Sequence, residues 1–247
     1  MKTLALYSIK GGVGKTAAAV NLAWLASKQG ASTLIIDLDP QSAATYYFRI
    51  RSPKKHNQVR LVKGGKKLEN QIKSTDFEYL DLLPADLSYR NLDVTLDQKK
   101  HSKKRLKDLL KSFKEEYEYI FIDCPPNITL VSENVFYAAD IILLPVIPTT
   151  LSLRTFEILY GFFKDNKFNY HKIRPFFSMV EKRKKMHREL MESIPKNEPN
   201  FLTSRIPYLS DVEKMGIYRS PVVSKLPKSP ASQAYAELWN EIKKLAG

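Results

Sequence analysis

Apolar and polar positions along the first forty residues change period twice. Residues 3–9 are a short apolar run and predict a strand. From 15 to 28, Val20, Leu22, Ala23, Leu25 and Ala26 recur at helical spacing, and Gly30 supplies a stop. Residues 32–37 form a second apolar run that ends on Asp37. A β-loop-α-β unit of this kind opens a parallel sheet with helices on its faces. Further strands are predicted at 79–84, 119–123, 141–146 and 173–180. The runs at 119–123 and 141–146 are almost wholly apolar, as strands buried on both sides must be. Helices are predicted at 103–117, with Leu106, Leu109, Leu110 and Phe113 on one face, and at 152–164, 187–193 and 231–245. Residues 49–73 are basic and turn-rich, with Pro53, Gly64 and Gly65 and a short helix near 68–72. No linker, repeat or low-complexity block interrupts the pattern. It predicts one α/β domain over residues 1–247: a mostly parallel, twisted β-sheet with helices on both faces.

The turn between the first strand and the first helix reads Lys10-Gly-Gly-Val-Gly-Lys-Thr16. That placement is what a phosphate-binding P-loop requires. Glycines let backbone N–H groups converge on phosphate oxygens, and the following helix N-terminus adds partial positive charge there. Gly11, Gly12, Val13, Gly14 and Ala17 would supply the cradle. Lys15 would reach the β- and γ-phosphates, and Thr16 would offer its hydroxyl to Mg²⁺. Asp37 and Asp39 follow the second strand, at the sheet rim where ligands bind in α/β folds. Asp123 ends the strand 119–123 and is followed by Cys124, Pro125 and Pro126, which stop it. An aspartate at the end of an apolar strand after a P-loop is a Mg²⁺-holding pattern.

The usual P-loop has glycine where this chain has Ile9, and it lacks a second lysine like Lys10. KGGVGKT instead resembles the deviant Walker A motif of the ParA/MinD family, and most closely the short, Soj-like ParA partition ATPases. The resemblance implies a P-loop NTPase fold, ATP/ADP and Mg²⁺ as ligands, and a homodimer formed on ATP. Lys10 would then act across the dimer on the partner's phosphates, with Lys15 and Asp39 completing the catalytic set and Asp39 positioning the attacking water. Thr16, Asp37 and Asp123 would surround the metal, Asp37 supporting either it or the loop. Residues 123–133 would be switch II. Ser178, Met179 and Pro207 resemble segments that flank adenine. The P-loop begins at Lys10, so a short ParA without a preceding helix-turn-helix is expected.

Charge decides which branch is favoured. The chain has 40 Lys and Arg against 26 Asp and Glu, a formal net charge of +14. Such a surplus points to a polyanionic partner. The resemblance therefore implies nonspecific DNA binding by the ATP dimer, release by a ParB-like protein that stimulates hydrolysis, and a cytoplasmic, nucleoid-associated location. Lys182, Arg183, Lys184, Lys185 and Arg188, with Lys214 and Arg219, are the expected DNA contacts. Relatives carry arginines just after the Ile-Pro pair, where this chain has Tyr208 and Asp211. The alternative is a MinD-like membrane ATPase, which needs an amphipathic C-terminal helix; Leu238, Trp239, Ile242 and Leu245 are the candidate apolar stripe. Glu237 and Glu241 on that helix make membrane binding the lesser expectation. A single cysteine, Cys124, excludes an internal disulfide framework and a dimer-bridging cluster that needs two cysteines per chain.

Overall fold

A computed structural model describes residues 1–246. Eight strands form one sheet: β1 Lys2–Leu6, β2 Thr33–Asp37, β3 Lys73–Ser74, β4 Leu80–Leu83, β5 Tyr119–Asp123, β6 Ile141–Val146, β7 Ile173–Val180 and β8 Arg205–Pro207. Their order is β3-β4-β2-β5-β1-β6-β7-β8. Only the β3–β4 pair is antiparallel. The helices are α1 Lys15–Lys28, α2 Ala43–Tyr47, α3 Gln58–Lys63, α4 Lys66–Glu69, α5 Leu92–Asp97, α6 Arg105–Leu110, α7 Leu130–Ala138, α8 Thr150–Asp165, α9 Lys185–Asn197, α10 Ser210–Glu213, α11 Met215–Tyr218, α12 Val222–Lys225 and α13 Pro230–Ala246.

Period-two alternation builds two cores, one on each face of the sheet. Leu4, Leu6, Ile35, Phe121 and Leu143 point to one side, against α1, α12 and α13. Ala5, Leu34, Ile36, Ile120, Ile122 and Ile142 point to the other, against α3 and α5 to α8. Every one of these strand residues is fully buried, which explains why the strand runs are apolar without interruption.

Strands β5, β6 and β7 and helix α1 have the predicted bounds. The first strand stops at Leu6, three residues early, as the chain turns so that Lys10 N–H donates to Ser8 Oγ at 3.2 Å. The helix expected at 103–117 is broken into a 3₁₀ turn at Ser102–Lys104, α6, and a second 3₁₀ turn at Lys111–Phe113. Two causes are visible. Lys103, Lys104 and Lys107 place like charges at helical spacing. In addition, the Leu106 N–H donates to Asn134 Oδ1 at 3.1 Å instead of to a carbonyl one turn back. Helix α9 outruns its expected bounds of 187–193 at both ends. The short helix expected near 68–72 lies slightly earlier, as α4, while α3, α5 and α7 were not predicted.

The C-terminal stripe is core. Leu238 and Ile242 are fully buried and Trp239 is 1 % exposed. The indole packs on Tyr119 and Phe121 at centroid distances of 5.2 and 5.9 Å and donates to Gln29 Oε1 at 3.2 Å. Only Leu245 of the four is exposed.

Candidate active site

The C-terminal ends of β1, β2, β5 and β7 converge on one rim of the sheet, and the loops leaving them enclose a cavity of about 360 Å³. Its floor is the glycine loop: Gly11, Gly12, Gly14, Lys15, Thr16 and Ala17 all line it. Gly14 sits at φ 92°, and a Cβ there would lie 3.1 Å from Ser178 Oγ. Any side chain would meet both backbone strain and a clash. The Ser178 hydroxyl itself donates to Val13 C=O at 2.9 Å and so fastens the loop to β7.

Lys15 is 7 % exposed, and its Nζ donates to Lys10 C=O at 3.4 Å. Burial lowers its pKa, and the nearby acidic groups, Asp123 foremost, oppose that shift. An ammonium held inside its own loop, short of acidic partners, is arranged to receive an anion.

Asp37 and Asp123 are register partners on neighbouring strands, and both are fully buried. Burial raises the pKa of each; repulsion between them adds to the rise at Asp123. Asp37 is committed to the chain. Its Oδ2 accepts from Thr45 N–H at 2.9 Å and from the Thr45 hydroxyl at 2.7 Å, and its Oδ1 accepts from Asp39 N–H at 3.2 Å. Both oxygens are taken by donors of the chain, so of the two readings of Asp37 the geometry favours the loop support over the metal. Neither Asp123 oxygen has a hydrogen bond of standard geometry. The Thr16 hydroxyl is near enough to temper its raised pKa without satisfying it.

Among the described residues no three His, Cys, Asp or Glu side chains gather into a metal cage. A Mg²⁺ site of the P-loop kind does not need one, because that ion keeps waters and takes phosphate oxygens. One hydroxyl, Thr16, beside one unsatisfied buried carboxylate, Asp123, fits that chemistry. Asp39 also lines the cavity, with its Oδ1 accepting from Gln41 N–H at 2.9 Å.

Ser178, Met179 and Pro207 line the cavity together at the exits of β7 and β8, and Met179 holds φ 53° there. Tyr47, Ile206, Tyr208, Val212 and Tyr235 complete that wall; Ile206 belongs to the expected Ile-Pro segment, and Tyr47 and Val212 were not named beforehand. The signal of these two was available only as an aromatic and an aliphatic residue in separate chain segments. Four predicted residues do not line the cavity, the fully buried Asp37 and Asp123 among them. Val13 is buried beneath it. Lys10 points out of it, with Nζ 3.5 Å from Ser152 Oγ at the start of α8. Cys124 is buried packing, its thiol 3.6 Å from Ile122 C=O.

A family model described as an AAA domain matches residues 1–173. A "ParA family protein" from Chlamydia muridarum is 30 % identical over 98 % of this chain and 97 % of its own length. The chain belongs to the ParA family. The sporulation initiation inhibitor protein Soj from Bacillus subtilis is 34 % identical over 59 % of this chain and 58 % of its own. The crystal structure of a plasmid partition protein from Borrelia burgdorferi, bound to AMPPNP, superposes with a TM-score of 0.86 at 25 % identity and covers 98 % of both chains. ParA proteins are P-loop ATPases, and this chain shares that enzyme class.

Of the seven basic residues of this ParA chain expected to touch DNA, six are exposed and Arg219 is half-buried, and most are engaged. Lys184 pairs with Glu181, Lys185 with Glu189 at 3.6 Å, and Lys214 with Asp211 at 3.6 Å. Arg188 donates to the carbonyls of Lys182 and Arg183. Arg219 stacks on Tyr46, 4.5 Å from the ring centroid, and donates to its carbonyl. Of the seven, Lys182 and Arg183 have no side-chain partner among the described residues. Of the positions after the Ile-Pro pair, Tyr208 lines the cavity yet stays half exposed, donating its hydroxyl to Glu213 at 2.6 Å, and Asp211 pairs with Lys214.

Proposed function

We propose that this ParA-family ATPase partitions DNA as an ATP-dependent homodimer that binds DNA nonspecifically and is released when a ParB-like partner stimulates hydrolysis. The observation that carries the reading is the split between the two loop lysines: Lys15 is sealed in its own cavity, and Lys10, five residues earlier, is turned out of it. A cation beside a phosphate site but outside it is placed to serve a second subunit's site. There it can stabilise charge spreading over phosphoryl oxygens, as an arginine finger does.

In this reading the backbone N–H groups from Gly11 to Thr16 cradle the phosphates of ATP, and Lys15 Nζ leaves Lys10 C=O for the β- and γ-phosphate oxygens. The purine lies against Met179 and Pro207. Thr16 and, through water, Asp123 would hold Mg²⁺, which supplies charge neutralisation on the phosphoryl group. Asp39 orients the attacking water. The segments after Asp37 and Asp123 order on the γ-phosphate and bring the subunits together. Dimerisation doubles the number of phosphate contacts offered to DNA, which makes binding nucleotide-dependent. Nucleoid association follows from that affinity. A membrane-bound alternative loses its support, because the apolar stripe of α13 packs on α1 and β5.

A gel-shift series on unrelated duplexes, with no nucleotide, ADP, ATP, and ATP with Lys10→Ala protein, tests this. Salt-sensitive shifts with ATP alone, lost in Lys10→Ala, are expected. Equal shifts in every nucleotide state would refute the switch.

A further inference from the structure

The positive charge of this chain is concentrated away from the C-terminal cluster. Between positions 49 and 73 nine Lys and Arg accompany one acid, Glu69, and between 99 and 114 eight accompany one, Asp108. These two segments carry a surplus of fifteen, so the rest of the chain, with a total net charge of +14, sums to −1.

The fold brings the two segments together. Arg105 at the start of α6 donates Nε to Val62 C=O at 2.6 Å and a terminal nitrogen to Lys63 C=O at 2.9 Å, which bolts α6 to the end of α3. A hollow of about 160 Å³ between them is lined by Lys63, Gly64, Gly65, Arg105 and Asp108. Lys63 at its edge and Lys66, Lys67, Lys99, Lys100 and Lys107 in the same two segments are exposed, and none has an ion-pair partner among the described residues. Crowded cations left unpaired repel one another and reduce stability. The neighbouring apolar side chains Leu61, Val62, Leu106 and Leu109 all face the core. The face therefore offers charge with a single exposed large apolar side chain, Val59, too little to insert in lipid, which suits a nucleic-acid backbone better than a bilayer.

We propose that this face, built by α3, α4 and the 99–114 segment, is the principal surface on which the protein tracks nucleic-acid phosphates, with the C-terminal cluster secondary. The proposal rests on the DNA-binding reading above and deepens it. It also supplies the coupling to nucleotide. Helix α7 follows the segment that leaves Asp123, and its Asn134, 1 % exposed, accepts from Leu106 N–H and donates to Ser102 C=O at 2.7 Å. Glu133 on the same helix pairs with Lys103 at 2.7 Å. Any nucleotide-driven shift of residues 124–129 is passed through α7 to the basic face.

The test is fluorescence anisotropy with a random-sequence duplex and Mg·ATP over a salt series. A face variant (Lys63→Ala, Lys66→Ala, Lys67→Ala, Lys107→Ala) is compared with a cluster variant (Lys182→Ala, Arg183→Ala, Lys184→Ala, Lys185→Ala). A third protein has the four face lysines replaced by arginine, and thermal melting verifies that each is folded. The magnitude of the log–log salt slope should fall by about 3 to 4 in the face variant, change little in the cluster variant, and be kept by the arginine variant. A wild-type slope in the face variant, with binding lost in the cluster variant, would overturn the assignment of the surface and leave DNA binding standing. No DNA binding by the wild type in ATP, with sedimentation on phosphatidylserine vesicles instead, would overturn the nucleic-acid reading itself.

Discussion

The ends of β2 and β5 look alike and do different work. Each strand is a short apolar run closed by an aspartate, and Asp37 and Asp123 lie side by side in register, both without solvent exposure. At β2 the carboxylate is fully used: three donors from Thr45 and Asp39 hold it, and the Thr45 hydroxyl in turn accepts from Ala85 N–H at 3.0 Å. This chain of bonds ties the exits of β2 and β4 together. At β5 the carboxylate is left unsatisfied beside Thr16 and Lys15. A buried carboxylate without donors costs stability, and such a cost persists where a ligand removes it. One aspartate builds the loop and the other is left without a partner in the chain.

The largest effect should come from the cation facing Asp123. Lys15→Ala should weaken ATP binding by about 100-fold, because a charge-assisted contact inside a dry loop is lost; calorimetric titration with ATP and Mg²⁺ measures it. Next, the two aspartates should separate cleanly. Asp123→Asn should lower turnover by about 100-fold while the nucleotide-free protein melts at or above the wild-type temperature. Asp37→Ala should lose about 2–4 kcal/mol of stability, since it strands three donors at once. If both variants melted alike, the distinction between the strand ends would fail.

The same comparison shows what a sequence can disclose. Strands β5, β6 and β7, α1 and the glycine loop were legible because each rests on a continuous local pattern. Gly14 carries its reason in its own backbone angle. The division of labour between Asp37 and Asp123 was not legible, because it depends on Thr45, eight residues along the chain, folding back onto one carboxyl only. The cavity wall draws on Tyr47, Tyr208 and Tyr235, which no spacing rule connects. The broken helix at 102–113 was missed because Asn134, twenty-eight residues away from Leu106, takes the bond that helical periodicity assumes stays local. The net charge was plain, but its concentration on α3, α4 and α6 rather than near α9 required counting by segment and knowing that those segments pack together.

Two smaller effects sharpen the picture. Gly14→Ala should cost about 1–3 kcal/mol in stability from the positive φ, and removing the contact partner with Ser178→Ala should restore only the steric part; denaturant melts of the single and double variants measure this. The last effect is on pH dependence. In the folded, nucleotide-free chain both carboxyls hold protons more tightly than in the unfolded chain, where they ionise near 3.8. The folded state thus binds more protons, and stability falls as pH rises from that value through the raised folded-state pKa values. Asp123→Asn should flatten this fall, and unfolding midpoints taken across the acidic range would record it.

The central claim is that ATP joins two subunits through Lys10. Sedimentation velocity of Asp39→Ala protein with Mg·ATP, compared with ADP and with the Lys10→Ala/Asp39→Ala double variant, tests it most directly. The account predicts a dimer for Asp39→Ala in ATP alone, and monomers in ADP and in the double variant. The same mass in all three would contradict it.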